Sequence, residues 1–558
     1  MGWEKLNIFT FSDKKFMWSF VIAAVLLYTP LLILNEWPQR DTVFRYAPMA
    51  EAFARGDFQY AFHPRCQMML PLCAGIICTL TGVSGLMACK ISALIFFIVA
   101  ALPLFSLAKP IFGRKIAIGA VILYLFCFHI IEEMVVTGVR DTLKIFFLLW
   151  MSKEFLTVFR ERDSWSCYLR LGAACGLSIC VRGEMLFIAV PILFLCGVLD
   201  GMRHRWLRRF AACLSCAVAG ASVEILINLA VSGYAVPSGR FVPLFQGLFH
   251  TDPTLGNFYL YAVLPTIPIY LAACHITVFM LRDPLRKKLL AAIAVLSAVA
   301  VAVYIIKVTP LNPDHGISHF LRSIHNGCAP VFYPPALLGV LAILWQRRWD
   351  AAQGWILTLF LLFDLLVIGQ IIFHDHCYYV SSRYLLPAVP LFLPWSAVGI
   401  ATLWALLKYD NRIPFARTIA TGAVIFAIGL SIYLSYRTEL LNRRRPREVS
   451  DWQTIQDLKR QLPAKDKYFY KPPMDVLYYR SNTGPVVFSY RIGYYSVAAY
   501  LAGCSETNDP GEADFIITSA SIGARGMRKK FKINRPIRKI GKPIPSRRGK
   551  LVILKIVK

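Results

Sequence analysis

FMWSFVIAAVLLYTPLLIL, at residues 16–34, is an apolar run long enough to cross a membrane. The stretch after it, NEWPQRDTVFRYAPMAEAFARGDFQYAFHPRCQMML at residues 35–70, is instead long and rich in carboxylates and arginines. It should be the first loop on the far side of the membrane. Its ionisable side chains include Glu36, Arg40, Asp41, Arg45, Glu51, Arg55, Asp57, His63 and Arg65. Carboxylates interleaved with arginines at a membrane surface indicate a site for a phosphate-linked substrate.

Composition and hydropathy indicate an all-α polytopic membrane bundle. The chain has 558 residues, of which 57% are hydrophobic and 17% charged, whereas soluble proteins are nearer half apolar and a quarter charged. The apolar runs are continuous rather than alternating, which argues against a β-barrel. They predict about thirteen transmembrane helices, at residues 16–34, 86–108, 116–131, 139–158, 167–181, 184–199, 210–231, 258–281, 289–306, 331–345, 355–373, 385–406 and 418–434.

The segment 67–82 is apolar but does not read as a full span. Pro71, Gly75 and Gly82 interrupt it, and these residues weaken a helix interior. We therefore expect an interfacial or re-entrant helix there.

Loop charge predicts the orientation of the bundle. Roughly 22 Lys and Arg residues lie in the N-terminal arm and the loops on its side, against about 9 in the opposite, longer loops, and the more basic side faces the cytoplasm. The basic N-terminus lacks a small-residue cleavage site and predicts an uncleaved signal-anchor. We expect a multi-pass protein of the inner (plasma) membrane, with its first loop at 35–67 and its active site on the extracytoplasmic face.

Residues 436–558 predict a separate extracytoplasmic domain after a transmembrane domain at 1–435. Short β-like runs such as KYFY, DFIITS and KLVILKIV follow a helical pattern and indicate a small α/β or α+β fold. Between Arg443 and Lys558 there are 25 Lys and Arg but 9 Asp and Glu. Because this tail follows a membrane domain, anionic lipid headgroups or acidic glycans are more natural partners than nucleic acid. A basic surface that serves only solubility is an equal alternative.

Asp41 is the first candidate for chemistry. Tyr46, Met49, Ala50 and Phe53 recur at helical spacing after it and predict an amphipathic helix on the membrane surface. Asp41 would head this helix. It could therefore be a simple helix cap, which the residues alone favour, or a functional carboxylate.

Asp141 is the second candidate, at the start of a predicted span where a charge is costly unless paired or functional. Arg140 and Lys144 offer structural partners, Lys144 because residues three apart share a helix face. Arg182 lies between two apolar runs, and a local ion pair with Glu184 is its structural alternative. Other candidates at an outer boundary are Arg383, suited to phosphate, and Tyr384, which could instead be an interfacial anchor.

Metal and cofactor motifs are weak. His315 and His319 are four residues apart, and His374 and His376 flank Asp375, but neither pair has a third ligand at fixed spacing. The CxxC at residues 213–216 lies in an apolar helix without a second pair and predicts packing rather than a metal or redox site. We predict no cofactor, and a divalent metal stays open.

RDTVFRYAPMAEAFARGDFQYAFHP, at residues 40–64, resembles the first outer loop of GT-C superfamily glycosyltransferases. The similarity is to the family-39-like bacterial enzymes, which include lipid A aminoarabinose transferases and protein O-mannosyltransferases. Further similar segments, in the family order, are AKPIFGRKIAIGAVILY, MVVTGVRDTLKIFF, LSICVRGEMLFIAV and SSRYLLPAVPLF. The resemblance covers roughly residues 16–406. The chain departs from its relatives in one respect: they often have adjacent acidic residues and a shorter distance to the tyrosine, whereas Thr42 follows Asp41 here.

The resemblance implies transfer of a sugar from a polyprenyl-phosphate donor to an extracytoplasmic lipid, glycan or protein, with inversion at the anomeric carbon. Asp41 is implied to act as general base on the acceptor or to position it, and Asp141 to orient acceptor or sugar. Arg383, and less directly Arg182, are implied to hold the donor phosphate. The remaining candidates for substrate binding are Tyr46, His63, Arg65 and Tyr384.

Two other functions compete with this one. A transporter or flippase of lipid-linked glycans would place ionisable residues near the bilayer midplane and often contains repeats, but the charges here lie at the outer boundaries and no repeat is visible. A ligase of such glycans would have a large outer loop late in the chain, and the late loops here are short. An enzyme whose partners are a lipid-linked donor, membrane lipids and an acceptor is favoured.

Overall fold

The computed structural model describes residues 12–34, 41–62, 67–160, 164–202, 208–232, 330–346, 352–354, 356 and 382–409, single helical residues between 422 and 434, and the backbone of short strands between 467 and 556. Its described α-helices, numbered α1 to α13 in chain order, are Asp13–Leu34, Ala47–Ala54, Phe58–Ala61, Met69–Thr81, Gly85–Phe112, Arg114–Leu125, Phe128–Ile130, Asp141–Arg160, Trp165–Ile179, Leu186–Met202, Arg208–Ser232, Tyr333–Trp345 and Val389–Tyr409. Two π-helical turns, Thr42–Tyr46 and Ile131–Val135, interrupt the regular α geometry.

Helices coincide with the predicted spans at 16–34, 86–108, 116–131, 139–158, 167–181, 184–199, 210–231, 331–345 and 385–406. Within the described ranges, α1, α5, α11 and Leu386–Ala405 are long and apolar enough to cross a membrane, and a bent pair, Arg114–Leu125 with Phe128–Val135, could form one more span. The predicted spans 258–281 and 289–306, and most of 355–373 and 418–434, lie outside the described residues. The total of thirteen therefore stays a prediction.

Helix α4 coincides with the apolar segment at residues 67–82, which was not expected to cross the membrane. It has 13 residues and rises about 20 Å, less than the ~30 Å of a bilayer core. Pro71 falls in its first turn, where the missing N–H costs no intrahelical hydrogen bond. A short apolar helix is thus what the chain forms here.

Polar contacts tie α1 to its neighbours along their length. Tyr28 donates its hydroxyl hydrogen bond to the carbonyl oxygen of Leu125. Lys90 Nζ donates to the Leu32 carbonyl oxygen at 3.3 Å, near the C-terminal end of α1, where a cation is favoured by the helix dipole. At the other end, Asp13 pairs with Arg114 Nε at 2.6 Å and with Lys109. These contacts hold α1 against α5 and α6.

Small residues let two pairs of helices approach closely. In α9, a Cβ on Gly176 would lie 2.2 Å from the Ala217 carbonyl oxygen of α11. In α13, a Cβ on Gly399 would lie 1.7 Å from the Pro335 carbonyl oxygen of α12. Such crossings are common between membrane helices, where close backbone packing replaces the hydrophobic effect.

Replacing Gly399 with alanine should destabilise the protein, because the added methyl group meets backbone rather than a movable side chain. Overpacking of this kind costs about 1–3 kcal/mol or more. A fall in the midpoint of thermal unfolding of the detergent-solubilised protein measures the effect. Gly429→Ala is the matched control, because no described residue lies within 4 Å of its added Cβ. Equal midpoints for the two variants would contradict the close crossing.

The chain divides into two compact units, one comprising residues 1–33, 67–70 and 90–436 and the other residues 34–66, 71–89 and 437–558. In the second unit the predicted amphipathic helix is present, and Tyr46, Met49 and Ala50 are buried as its spacing required. Glu51 Oε1 accepts a hydrogen bond from the Gly85 backbone N–H at 2.8 Å and so caps the start of α5. Ring contacts link Phe53 with Phe58 and Phe62.

The C-terminal part contains a mixed sheet and a hairpin. The strands, β1 to β7 in chain order, are Lys467–Tyr470, Tyr479–Ser481, Gly484–Val486, Ser505–Glu506, Phe515–Ser519, Ile537–Ser546 and Gly549–Ile556. Five of these described strands form one sheet in the order β4-β1-β5-β7-β6, in which β1 runs parallel to β4 and β5, and β7 runs antiparallel to β5 and β6. The separate pair β2 and β3 is antiparallel. The helical pattern that precedes the β-like runs, around Trp452, lies outside the described residues.

Candidate active site

A buried carboxylate organises the polar centre of the helical unit. Asp141 is the first residue of α8, where the helix dipole favours a negative charge. Its side chain is only 1% exposed. A carboxylate this deeply buried is stable only with opposite charges close by.

Three cations supply those charges. Lys144 Nζ and an Arg182 Nη1 each lie 3.1 Å from Asp141 Oδ1, and Arg383 Nε lies 3.2 Å from Oδ2. Lys144, Arg182 and Arg383, the cation cluster hereafter, are each less than a tenth exposed. The described part of the chain thus brings three cations onto one carboxylate, and all four side chains are nearly closed to bulk solvent.

Local structure explains why the three cations meet at one point. Lys144 follows Asp141 by one helical turn, so both face the same side of α8. Arg182 lies just before the 3₁₀ turn Gly183–Met185 that separates α9 from α10. Arg383 lies in the 3₁₀ turn Ser382–Tyr384 that leads through a second turn into α13. A helix start and two tight turns therefore converge.

Tyr384 forms an aromatic wall of the cation cluster. Its ring centre lies 4.7 Å from Arg182 Cζ, 5.2 Å from Arg383 Cζ and 6.0 Å from Lys144 Nζ. These are cation–π distances, and the negative ring face attracts cations without neutralising them. Tyr384 is therefore in contact with the cation cluster, whatever anchoring role it also has.

A second polar link begins at the neighbouring residue. Arg140 donates a hydrogen bond to Gln67 Oε1, and the adjacent Met68 backbone N–H donates to Glu224 Oε1 at 3.2 Å. Gln67 is 4% exposed and Glu224 is 1% exposed. This link could not be predicted from the sequence, because no pattern relates Gln67 or Glu224 to Arg140.

Asp41 lies at the head of the helical part of the first loop. Its φ of −64° and ψ of −34° are helical, and its side chain makes no capping hydrogen bond. The helix-cap interpretation, which the residues alone favoured, is therefore not what the structure contains. Tyr46, at the end of the following π-helical turn, is 2% exposed. His63 and Arg65 lie outside the described residues.

The ion-pair partners predicted for Asp141 and Arg182 can be compared with those in the structure. The pairing of Asp141 with Lys144, predicted from their spacing, is present. Arg182 pairs with Asp141, 41 residues earlier in the chain, while the Glu184 side chain lies outside the described residues. Lys144 was expected only as a structural partner, and the structure makes it part of the cation cluster.

The described ranges contain no group of three or more His, Cys, Asp or Glu side chains that could hold a metal ion. The predicted pairs His315 with His319 and His374 with His376 lie outside those ranges. Cys213 is buried, and its backbone carbonyl packs against Gly172 of α9. The polar centre that the structure does contain is suited to an anion.

Comparison with known proteins agrees on the class of fold. Residues 63–227 match the family model described as dolichyl-phosphate-mannose-protein mannosyltransferase. ArnT from Cupriavidus metallidurans, solved bound to undecaprenyl phosphate, has a TM-score of 0.51 at 12% identity, with 97% of this chain and 98% of that chain covered. The chain has a GT-C glycosyltransferase fold.

The oligosaccharyltransferase of Archaeoglobus fulgidus, solved with a tethered acceptor peptide containing the NVT sequon, has the same class of fold. It has a TM-score of 0.50 at 12% identity and covers 91% of this chain and 70% of that chain. A search of curated protein sequences found no match. The predicted resemblance to the GT-C superfamily is thus confirmed, and the chain is an integral membrane protein.

Proposed function

We propose that this GT-C chain is a membrane glycosyltransferase that moves a sugar from a polyprenyl-phosphate donor to an extracytoplasmic acceptor. The observation that carries the proposal is the cation cluster: Lys144, Arg182 and Arg383 all converge on the buried Asp141 carboxylate. Three buried cations brought to one point form a setting that suits an anionic ligand. Arginine side chains match phosphate oxygens geometrically.

The charge of the site suits the leaving group better than the donor. In the donor, the phosphate is a diester with one negative charge. When the sugar leaves, it becomes a monoester that carries about −1.5 to −2 at neutral pH. The cation cluster therefore stabilises charge that develops during the reaction, which is how fixed electrostatics lower a barrier.

The chemistry needs a second group for the acceptor proton. We assign this role to Asp41: its carboxylate takes the proton as the acceptor oxygen bonds to the anomeric carbon. The bond from that carbon to the phosphate oxygen breaks, its electron pair stays on the phosphate, and the configuration inverts. Asp141 is then a positioning group, because a buried carboxylate held by three cations is a poor proton acceptor.

The proteins that share the fold support the donor class. The ArnT structure contains undecaprenyl phosphate, and the family model carries dolichyl-phosphate-mannose in its description. The oligosaccharyltransferase was solved with an acceptor peptide. From the resemblance of the sequence segments that carry them, we propose Tyr46, His63, Arg65 and Tyr384 as further substrate contacts.

The proposal also includes the setting of the site. The loop charges favour an inner-membrane protein with its active site outside the cytoplasm. We propose a transmembrane catalytic domain at residues 1–435 and an extracytoplasmic domain at residues 436–558. The tail is basic enough to favour anionic lipid headgroups or acidic glycans.

Mass spectrometry of a strain that lacks this gene tests the function. Polyprenyl-phosphate sugar should accumulate, and one class of surface glycoconjugate should lose a sugar. The accumulated donor identifies the sugar, and the altered glycoconjugate identifies the acceptor. An unchanged pool of lipid-linked sugars together with unchanged surface glycans would contradict a transferase.

Replacing Arg383 with alanine should weaken donor binding more than acceptor binding. Loss of a charge-assisted hydrogen bond costs about 1.5–3 kcal/mol, so we expect the donor KM to rise about 10- to 100-fold. Steady-state kinetics with each substrate varied separately measures the difference. Arg170→Ala is the control, because Arg170 pairs with Glu154 at 3.1 Å between α8 and α9 and should leave the donor KM unchanged. An unchanged donor KM in Arg383→Ala would remove Arg383 from the phosphate site.

A further inference from the structure

Glu224 lies in α11, far in sequence from the cation cluster, and is 1% exposed. Charged residues inside membrane helices are costly and are retained mainly where they pair or serve a function. Glu224 Oε1 accepts a hydrogen bond from the backbone N–H of Met68 at 3.2 Å. This contact fixes the short segment Gln67–Leu70, which belongs to the same compact unit as α11.

The fixed segment in turn holds Arg140. The side chain of Gln67, one residue before Met68, accepts a hydrogen bond from Arg140. Arg140 directly precedes Asp141, which contacts all three cations of the cluster. One series of contacts therefore runs from Glu224 through residues 67 and 68 to the start of α8.

A second contact holds the same part of α11 near Arg182. The Cys180 thiol donates a hydrogen bond to the Gly220 carbonyl oxygen at 3.4 Å, one helical turn before Glu224. Arg182 follows Cys180 by two residues and reaches Asp141. The turn of α11 that carries Glu224 is thus connected to both segments that supply the cluster.

We infer that Glu224 is a positioning residue for phosphate binding: by holding Met68 and Gln67 it fixes Arg140 and the start of α8, and so the geometry of the cation cluster. The inference rests on the proposed function, since it assigns Glu224 to the same phosphate site. Glu224 does not touch the ligand. Groups that fix the orientation of binding residues commonly have effects comparable to those of the residues they hold.

Binding of undecaprenyl phosphate to the purified full-length protein in detergent tests the inference. Glu224→Met keeps the approximate shape of the side chain and removes the acceptor, and it should raise the Kd about tenfold. Glu224→Gln keeps an acceptor oxygen for the Met68 N–H and should stay within about threefold of wild type. Rescue by glutamine distinguishes loss of this hydrogen bond from loss of charge.

Gln67→Leu breaks the next contact in the series and should raise the Kd as Glu224→Met does. The double variant should then be no weaker than either single variant, because both break one linked unit. Gln67→Leu also gives an answer if Glu224→Met does not fold. Unchanged binding by folded Glu224→Met or Gln67→Leu, or effects that simply add, would overturn the inference.

Asp200→Leu is the matched control. Asp200 is also a buried carboxylate that accepts a backbone N–H hydrogen bond, from Phe210 at 3.1 Å. Phe210 lies 14 residues before Glu224 in α11, which is roughly 20 Å along the helix. Replacing Asp200 with leucine should therefore leave the Kd for undecaprenyl phosphate unchanged. If Asp200→Leu raised this Kd as Glu224→Met does, the inference would be overturned. Wild-type protein that fails to bind undecaprenyl phosphate would instead overturn the proposed function, so the two failures are distinguishable.

Discussion

Asp41→Asn should reduce sugar transfer by about 10²- to 10⁴-fold, the usual contribution of a positioned general base. Asparagine has nearly the same shape as aspartate but cannot take the acceptor proton. The protein should stay folded, because the exchange preserves the size of the side chain and removes no helix-capping hydrogen bond. The measurement is the initial rate of polyprenyl-phosphate release at saturating donor and acceptor.

Asp57→Asn is the control for this variant. Asp57 is an exposed carboxylate of the same loop, just after α2, and its replacement should leave the rate unchanged. Binding of undecaprenyl phosphate should be equal in wild type and Asp41→Asn. Full activity of Asp41→Asn would exclude this carboxylate from the reaction.

Asp141→Asn should have the largest effect on stability. The change leaves Lys144, Arg182 and Arg383 buried around a neutral amide, and breaking a buried charge network in this way costs about 3–5 kcal/mol. Thermal unfolding of the purified protein measures the loss. Undecaprenyl phosphate should stabilise the variant more than it stabilises wild type, because its phosphate replaces the missing negative charge.

The control is Glu154→Gln. Glu154 is 2% exposed and pairs with Lys153 and Arg170, whose side chains are 27% and 48% exposed. Those cations remain hydrated when the carboxylate is neutralised, so the loss of stability should be smaller and independent of undecaprenyl phosphate. Ligand stabilisation that is no greater in Asp141→Asn than in wild type would argue against phosphate at the cation cluster.

Local patterns in the sequence predicted much of the described helical structure. Hydropathy located α1, α5 and α11, because membrane spans need long apolar runs. The period of Tyr46, Met49 and Ala50 predicted the buried face of the first-loop helix. The pairing of Asp141 with Lys144 could be predicted from their spacing, because residues three apart lie on the same face of one helical turn.

Long-range contacts could not be predicted from such patterns. Arg383 meets Asp141 from a segment that lies much later in the chain, and no local pattern relates the two residues. Gln67 and Glu224 lie outside the sequence segments that resemble the GT-C superfamily. Their contacts depend on how α8, α9 and α11 pack, and hydropathy does not encode that packing.

The C-terminal sheet shows a different limit. Strands β1, β5 and β7 coincide with β-like runs in the sequence, but β6, IRKIGKPIPS, was not predicted. Its lysines, glycine and prolines are unfavourable in a central strand. The topology places β6 at an edge of the described sheet, where charged residues and proline are usual because they hinder pairing with other chains.

The π-helical turn Thr42–Tyr46 lies directly between Asp41 and α2. A π turn is an α-helical turn that has gained one residue, with the surplus absorbed as a bulge. Successive side chains of an α-helix are rotated by about 100° around its axis. The extra residue therefore changes the direction of the Asp41 side chain relative to the side chains of α2. A relative whose loop lacks this bulge would therefore align with Asp41 only if a gap of one position were placed between Asp41 and α2.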